Sequence, residues 1–114
     1  MPPLFAPTEV GGNSMRVNLK GTNFDLTDEV KSQVNEKLGG LDKYFANIQQ
    51  IDVEVGLTRR GQQKGKIYFC EVNVSVPRKL LRYRVESENV SRAVTEAKKG
   101  IQLEIKKYKE MLVG

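Results

Sequence analysis

With 114 residues, 39% hydrophobic and 29% charged, the chain suits one globular domain with one core and is too apolar for a disordered segment. It has no apolar run near the roughly 20 residues of a membrane-spanning helix, no histidine and a single cysteine, Cys70. That excludes the commonest acid–base and metal-ligand side chain and an internal disulfide, and favours a reducing compartment. The net charge of +5 is unevenly spread: five Lys and Arg against eight Asp and Glu up to Thr58, then fourteen against six from Arg59 onward. Such asymmetry suits a nucleic-acid or other acidic partner, or else a merely solvated surface.

Residues 1–14 are rich in Pro and Gly, lack periodicity and lack the basic start and apolar centre of a signal peptide. They read as a flexible tail, native or introduced for expression, with Met15 a candidate original start. A single domain then covers residues 15–112. Met15 to Lys20 alternates, with Met15, Val17 and Leu19 on one side, as in a half-buried strand. Gly21 to Phe24 reads as the turn out of it. Thr27 is placed as an N-cap, with Asp28 and Glu29 in the favourable first turn. Val30, Val34, Leu38, Leu41 and Phe45 form a helical stripe. The stripe runs through Gly39 and Gly40, so one helix is expected to Phe45, although each glycine costs about 1 kcal/mol relative to Ala.

Gln50 to Thr58 predicts a second strand with Ile51, Val53, Val55 and Leu57 inward. Arg59 to Gly65 is a loop with three positive charges and no negative ones. A third strand is expected over Lys66 to Val76, with Tyr68, Cys70, Val72, Val74 and Val76 inward, ended by Pro77. Leu81, Tyr83 and Val85 form the inner side of a fourth strand, with Arg82 and Arg84 outward. Asn89 caps a final long helix. Its buried stripe is Val90, Ala93, Val94, Ala97, Ile101, Ile105, Tyr108 and Leu112. Its outer sides carry Arg92, Lys98, Lys99, Lys106, Lys107 and Lys109 against Glu96, Glu104 and Glu110.

The order β-α-β-β-β-α defines an α+β fold. The strand–helix–strand start implies a parallel pair with a right-handed crossover, and the short later connections imply antiparallel hairpins. Each helix has one stripe to bury. The expected packing is a four-stranded mixed sheet with two helices on one face.

Several short motifs sharpen this: Gly21-Thr22-Asn23 after the first strand, Leu41-Asp42-Lys43-Tyr44-Phe45 closing the first helix, Glu86 to Val94 entering the second, and Lys107-Tyr108-Lys109 near its end. In this order and at these spacings, from about Met15 to Met111, the chain resembles the ribosome hibernation promoting factors, also called ribosome-associated inhibitor or ribosomal subunit interface proteins. The resemblance implies the same fold, similar to double-stranded RNA-binding domains. It also implies a cytoplasmic factor that binds 16S rRNA of the small (30S) ribosomal subunit, and the 70S ribosome, in the channel used by mRNA and tRNA. There it inhibits translation and stabilises idle ribosomes under stress or in stationary phase. No enzyme activity, cofactor, metal, small-molecule substrate or membrane is implied, and the domain is expected to be monomeric off the ribosome. Long family members carry a second, dimer-forming domain, so this chain is expected to be a short member or an N-terminal domain.

Lys37, Lys107 and Lys109 fall where the family commonly has basic residues. Gly40, Gly100 and Leu103 stand where Lys or Arg is frequent, and Thr95 replaces the family's usual Asp. Neighbouring Lys98, Lys99 and Lys106 are candidates to compensate. The rRNA-binding candidates are therefore Lys37, Arg82, Arg84, Lys98, Lys99, Lys106, Lys107 and Lys109, with Arg78 and Lys79 beside them. Arg82 and Arg84 have a competing reading as cross-strand partners of Glu71 or Glu54. Arg59, Arg60 and Lys64 lie on a loop that is either a contact or simply solvated. Tyr44, Tyr68, Tyr83 and Tyr108 could stack on bases, but their spacing favours the core. Cys70 reads as a small buried hydrophobe. The alternative function is a general binder of double-stranded or structured RNA. An enzyme is disfavoured by the absence of nucleotide-binding glycine motifs and a nucleophile elbow.

Overall fold

The computed structural model of the protein describes residues 6–8, 17–41, 48–58 and 65–113. The elements are β1 (Ala6–Thr8), β2 (Val17–Thr22), α1 (Asp28–Leu38), β3 (Gln50–Leu57), β4 (Tyr68–Val76), β5 (Lys79–Ser87) and α2 (Val90–Val113). They form one sheet in the order β1-β2-β3-β4-β5. β2 and β3 are parallel across the α1 crossover, and the other neighbours are antiparallel. The expected β-α-β-β-β-α order and mixed four-stranded sheet are present as β2 to α2. In addition, Ala6–Thr8, within the expected tail, adds a short strand along the β2 edge.

Pleating decides the layers. Val17 and Leu19, Ile51, Val53 and Val55, Cys70, Val72, Val74 and Val76, and Leu81 all point to one side and are buried. Val30, Val34 and Leu38 of α1, and Ala93, Val94, Ala97, Ile101 and Ile105 of α2, cover them. α2 packs on β4 and β5, while α1 packs beside it and touches β2. At 24 residues, α2 spans about 36 Å.

Helix starts follow side-chain capping. Thr27 Oγ1 accepts the Val30 N–H at 3.2 Å, and Asn89 Oδ1 accepts the Arg92 N–H at 3.1 Å. The end of α1 differs from the expectation. It stops at Leu38, with Gly39 as C-cap donating its N–H to the Asn35 carbonyl at 2.9 Å. Two successive glycines lose more backbone entropy than another helical turn returns. Leu41 is still fully buried, so the apolar spacing marked a real packing position on a chain no longer α-helical. Met15, Phe45, Tyr44 and the Asp42-Lys43-Tyr44-Phe45 part of the closing motif lie outside the described residues, as do Arg59, Arg60 and Lys64.

Gly100 has a steric reason. A Cβ there would lie 2.2 Å from the Tyr83 ring, so the ring rests directly on the α2 backbone. A lysine or arginine at this position would displace the ring. Tyr83 and Tyr68 are half-buried and Tyr108 is buried, so these three tyrosines serve packing. Tyr68 meets Phe24 edge-on, with ring centroids 5.7 Å apart.

Candidate nucleic-acid interface

The predicted basic residues fall on two different surfaces. Arg82 and Arg84 project from the sheet face opposite the helices. Register aligns that face in rungs: Asn18–Asp52–Asn73–Arg82, then Lys20–Glu54–Glu71–Arg84, then Thr22–Gly56–Phe69–Glu86. Within them Asn18 donates to Asp52 at 3.0 Å, Arg82 Nε donates to Asn73 Oδ1 at 2.9 Å, and Thr22 donates to Glu54. Arg84 lies 3.8 Å from Glu71 and 3.7 Å from Glu86. Its guanidinium also sits 4.1 Å from the Phe69 ring centroid, in cation–π range. Phe69 is buried on this polar face because Arg84 covers it and Gly56 leaves it room; a Cβ on Gly56 would lie 2.8 Å from the ring. Both arginines are therefore engaged within the sheet. Asp52, Glu54 and Glu71 run through the middle of this face, which disfavours a polyanion there.

The lysines of α2 lie on the opposite side of the domain, where helical geometry sorts them. At 100° per residue, Lys98, Lys99, Lys106 and Lys109 share an arc of about 100° with Thr95 and Gln102. Glu96, Glu104 and Glu110 lie outside that arc. Lys98 is half-buried, and Lys99, Lys106 and Lys109 are exposed. The side chains of Lys98, Lys99 and Lys106 make no hydrogen bond or ion pair among the described residues. Lys107 is separate: its side chain is 72% exposed, points to the other flank and lies 3.5 Å from Glu104. The prediction thus grouped Lys107 with lysines from which the helix divides it.

The arc adjoins α1. Ser91 Oγ donates to Gln33 Oε1 at 2.9 Å, and Lys37 Nζ donates to Thr95 Oγ1. Lys37 is thereby held at the seam between the helices, beside the α2 arc. Its ammonium rests against a neutral hydroxyl, so its charge is left uncompensated by that bond. Thr95 in turn donates to the Ser91 carbonyl at 3.0 Å. No sequence signal announced this seam, because it joins residues 58 positions apart. Arg92 was missed as a site candidate. It is exposed and spaced seven residues before Lys99, which is seven before Lys106, so that periodicity could have found it. Leu103, 58% exposed, lies beside the arc, four residues after Lys99 and three before Lys106.

At the far end of α2, Tyr108 donates its hydroxyl to the Pro77 carbonyl at 2.8 Å and ties the β4–β5 turn to the helix. Arg78 and Lys79 are exposed there. Burial pushes the Cys70 thiol up to about 12, with the neighbouring Glu71 carboxylate adding to it, so Cys70 is a packed thiol rather than a reactive thiolate. Among the described residues no group of three or more His, Cys, Asp or Glu is placed to hold a metal. None of their helices is long and apolar enough to cross a membrane.

Residues 17–113 match the family described as sigma 54 modulation protein / S30EA ribosomal protein. The chain belongs to this family. It is 30% identical over 95 residues to the ribosome hibernation promotion factor of Bacillus subtilis, an alignment covering 83% of this chain and 49% of that protein. It therefore spans about half the length of that relative. Among solved structures, the Thermus thermophilus Protein Y N-terminal domain superposes with a TM-score of 0.62 at 26% identity, covering 79% of this chain and 93% of that one. A ribosomal subunit interface protein from Coxiella burnetii superposes with a TM-score of 0.72, covering 82% of this chain and 97% of that one. At 16% identity it speaks for the fold alone. For this S30EA family member, the strands and helices common to the fold run from β2 to α2.

Proposed function

We propose that this domain is a ribosome hibernation factor. It binds 16S rRNA of the small subunit, alone or within the 70S ribosome, in the path of mRNA and tRNA. It blocks translation sterically and keeps idle ribosomes intact under stress or in stationary phase. The observation that carries this reading is the α2 flank, where Lys98, Lys99 and Lys106 are unneutralised among the described residues and Lys37 adjoins them at the seam. Family membership and a relative named as a ribosome hibernation promotion factor support it.

The mechanism needs no chemical step. Lys and Arg ammonium and guanidinium groups displace the counterions condensed on RNA phosphates, and that release drives binding. A rigid helix presents the cations at fixed spacing, so the shape of a folded RNA is read through its backbone rather than its bases. The domain works in the cytoplasm, as a monomer when off the ribosome. Arg82 and Arg84 support the sheet rather than the RNA contact.

The test is sedimentation with 30S subunits and 70S ribosomes, beside a free RNA duplex, at low and physiological salt. Saturable, near-stoichiometric binding to ribosomes at physiological salt with little duplex binding is expected. Equal, salt-fragile binding to all three would overturn ribosome specificity and favour a general RNA binder.

A further inference from the structure

The β4–β5 hairpin closes through two residues, Pro77 and Arg78, between the paired Val76 and Lys79. Arg78 adopts φ +69°, a left-handed conformation in which Cβ crowds the following carbonyl and which glycine enters without strain. Proline followed by a positive-φ residue is the type II turn pattern, whose ordinary choice at the second central position is glycine or asparagine. An arginine here holds a strained backbone with no packing return, because its side chain is exposed. Neither Arg78 nor Lys79 makes a side-chain hydrogen bond or ion pair among the described residues. The turn is nevertheless rigidly held: Pro77 fixes its own φ, and the buried Tyr108 bonds the Pro77 carbonyl at 2.8 Å. Strain that persists at an exposed, unpaired, well-anchored cation points to a binding role.

We propose that the β4–β5 turn is a second phosphate-contacting site of this domain, with Arg78 and Lys79 gripping backbone phosphate oxygens of the same RNA that the α2 flank binds. The proposal rests on the ribosome-binding reading above and extends its footprint to the C-terminal end of α2, where Tyr108 brings the turn. Arg78 supplies a planar fork that holds two phosphate oxygens at once, and Lys79 adds a point charge beside it.

The experiment is a salt titration of 30S binding for the wild type and for Arg78→Gly, Arg78→Asn and Arg78→Lys, each with a thermal melt. Arg78→Gly relieves the backbone and raises Tm by roughly 2–4 °C. It nonetheless weakens 30S binding about three- to tenfold and flattens the log–log salt slope by roughly 0.7–0.9, the loss of one phosphate contact. Arg78→Asn, which also tolerates the left-handed backbone, loses binding equally, and Arg78→Lys keeps most of it. Gly and Asn variants with unchanged affinity and slope, beside a wild type that binds, would overturn the second site alone. A wild type that does not bind 30S would overturn the ribosome reading and the second site with it.

Discussion

The open sheet face and the α2 flank both carry exposed cations, yet of these two only the helix flank has charge to spare. On the open sheet face, Arg82 and Arg84 meet Asn73, Glu71, Glu86 and the Phe69 ring. On the α2 flank, Lys98, Lys99 and Lys106 meet no carboxylate among the described residues. The pleat places side chains of neighbouring strands about 5 Å apart, so a charged sheet face readily neutralises itself across the rungs. A helix brings together residues three and four apart; Glu96 and Glu110 stand at those distances from Lys99 and Lys106, yet neither pair closes to ion-pair distance. Counting basic residues therefore overstates the sheet and understates the helix.

The largest effect should come from the helix. Lys99→Glu combined with Lys106→Glu replaces two attractive phosphate contacts by repulsion. It should weaken 30S binding by roughly 100-fold or more at physiological salt, with Tm almost unchanged because both residues are exposed. A binding titration and a melt on the same protein check both halves. Next is a substitution that adds charge at the wrong place. Gly100→Lys adds a cation to α2, but its Cβ would lie 2.2 Å from the Tyr83 ring. It should cost about 3 kcal/mol in urea unfolding through overpacking, without improving affinity.

On the sheet, Arg84→Ala should leave 30S binding within about twofold. It should cost roughly 0.5–1 kcal/mol, mostly from uncovering Phe69, since its ion pairs are long and partly exposed. Smallest, and confined to alkaline solution, is the core between the faces. With its thiol raised from 9.0 to about 12, folded Cys70 keeps a proton that the unfolded chain gives up. That contribution is intact below pH 9 and is lost as pH rises from about 9 toward 12. Chemical denaturation of the wild type against Cys70→Ala over this range should show the steeper decline in the wild type.

Most of the fold was legible because period and caps act locally. The alternation of Ile51, Val53 and Val55, the stripe from Val90 to Tyr108, and the caps at Thr27 and Asn89 all require only neighbours in the chain; Leu112, expected to continue that stripe, is instead 59% exposed, because α2 runs past the sheet that buries Tyr108. The end of α1 was not legible, since Leu41 continues the apolar spacing after Gly39 and Gly40 have stopped the helix. The candidate site was legible in charge but not in grouping. Lys106 and Lys107 are adjacent in sequence and lie on different flanks, and only the second has Glu104 three residues before it. The Lys37–Thr95 seam, the Arg84–Phe69 stack and the Tyr108–Pro77 tether join distant residues, so no local pattern announces them.

The most direct test of the central claim is the salt slope of 30S binding, compared among the wild type, the Lys99→Glu/Lys106→Glu variant and an Arg82→Ala/Arg84→Ala variant. A helix-based interface predicts a steep wild-type slope, a slope shallower by roughly 1.5–2 for the helix variant, and a sheet variant indistinguishable from the wild type. Loss of slope in the sheet variant, with the helix variant unchanged, would contradict it and move the RNA to the other side of the domain.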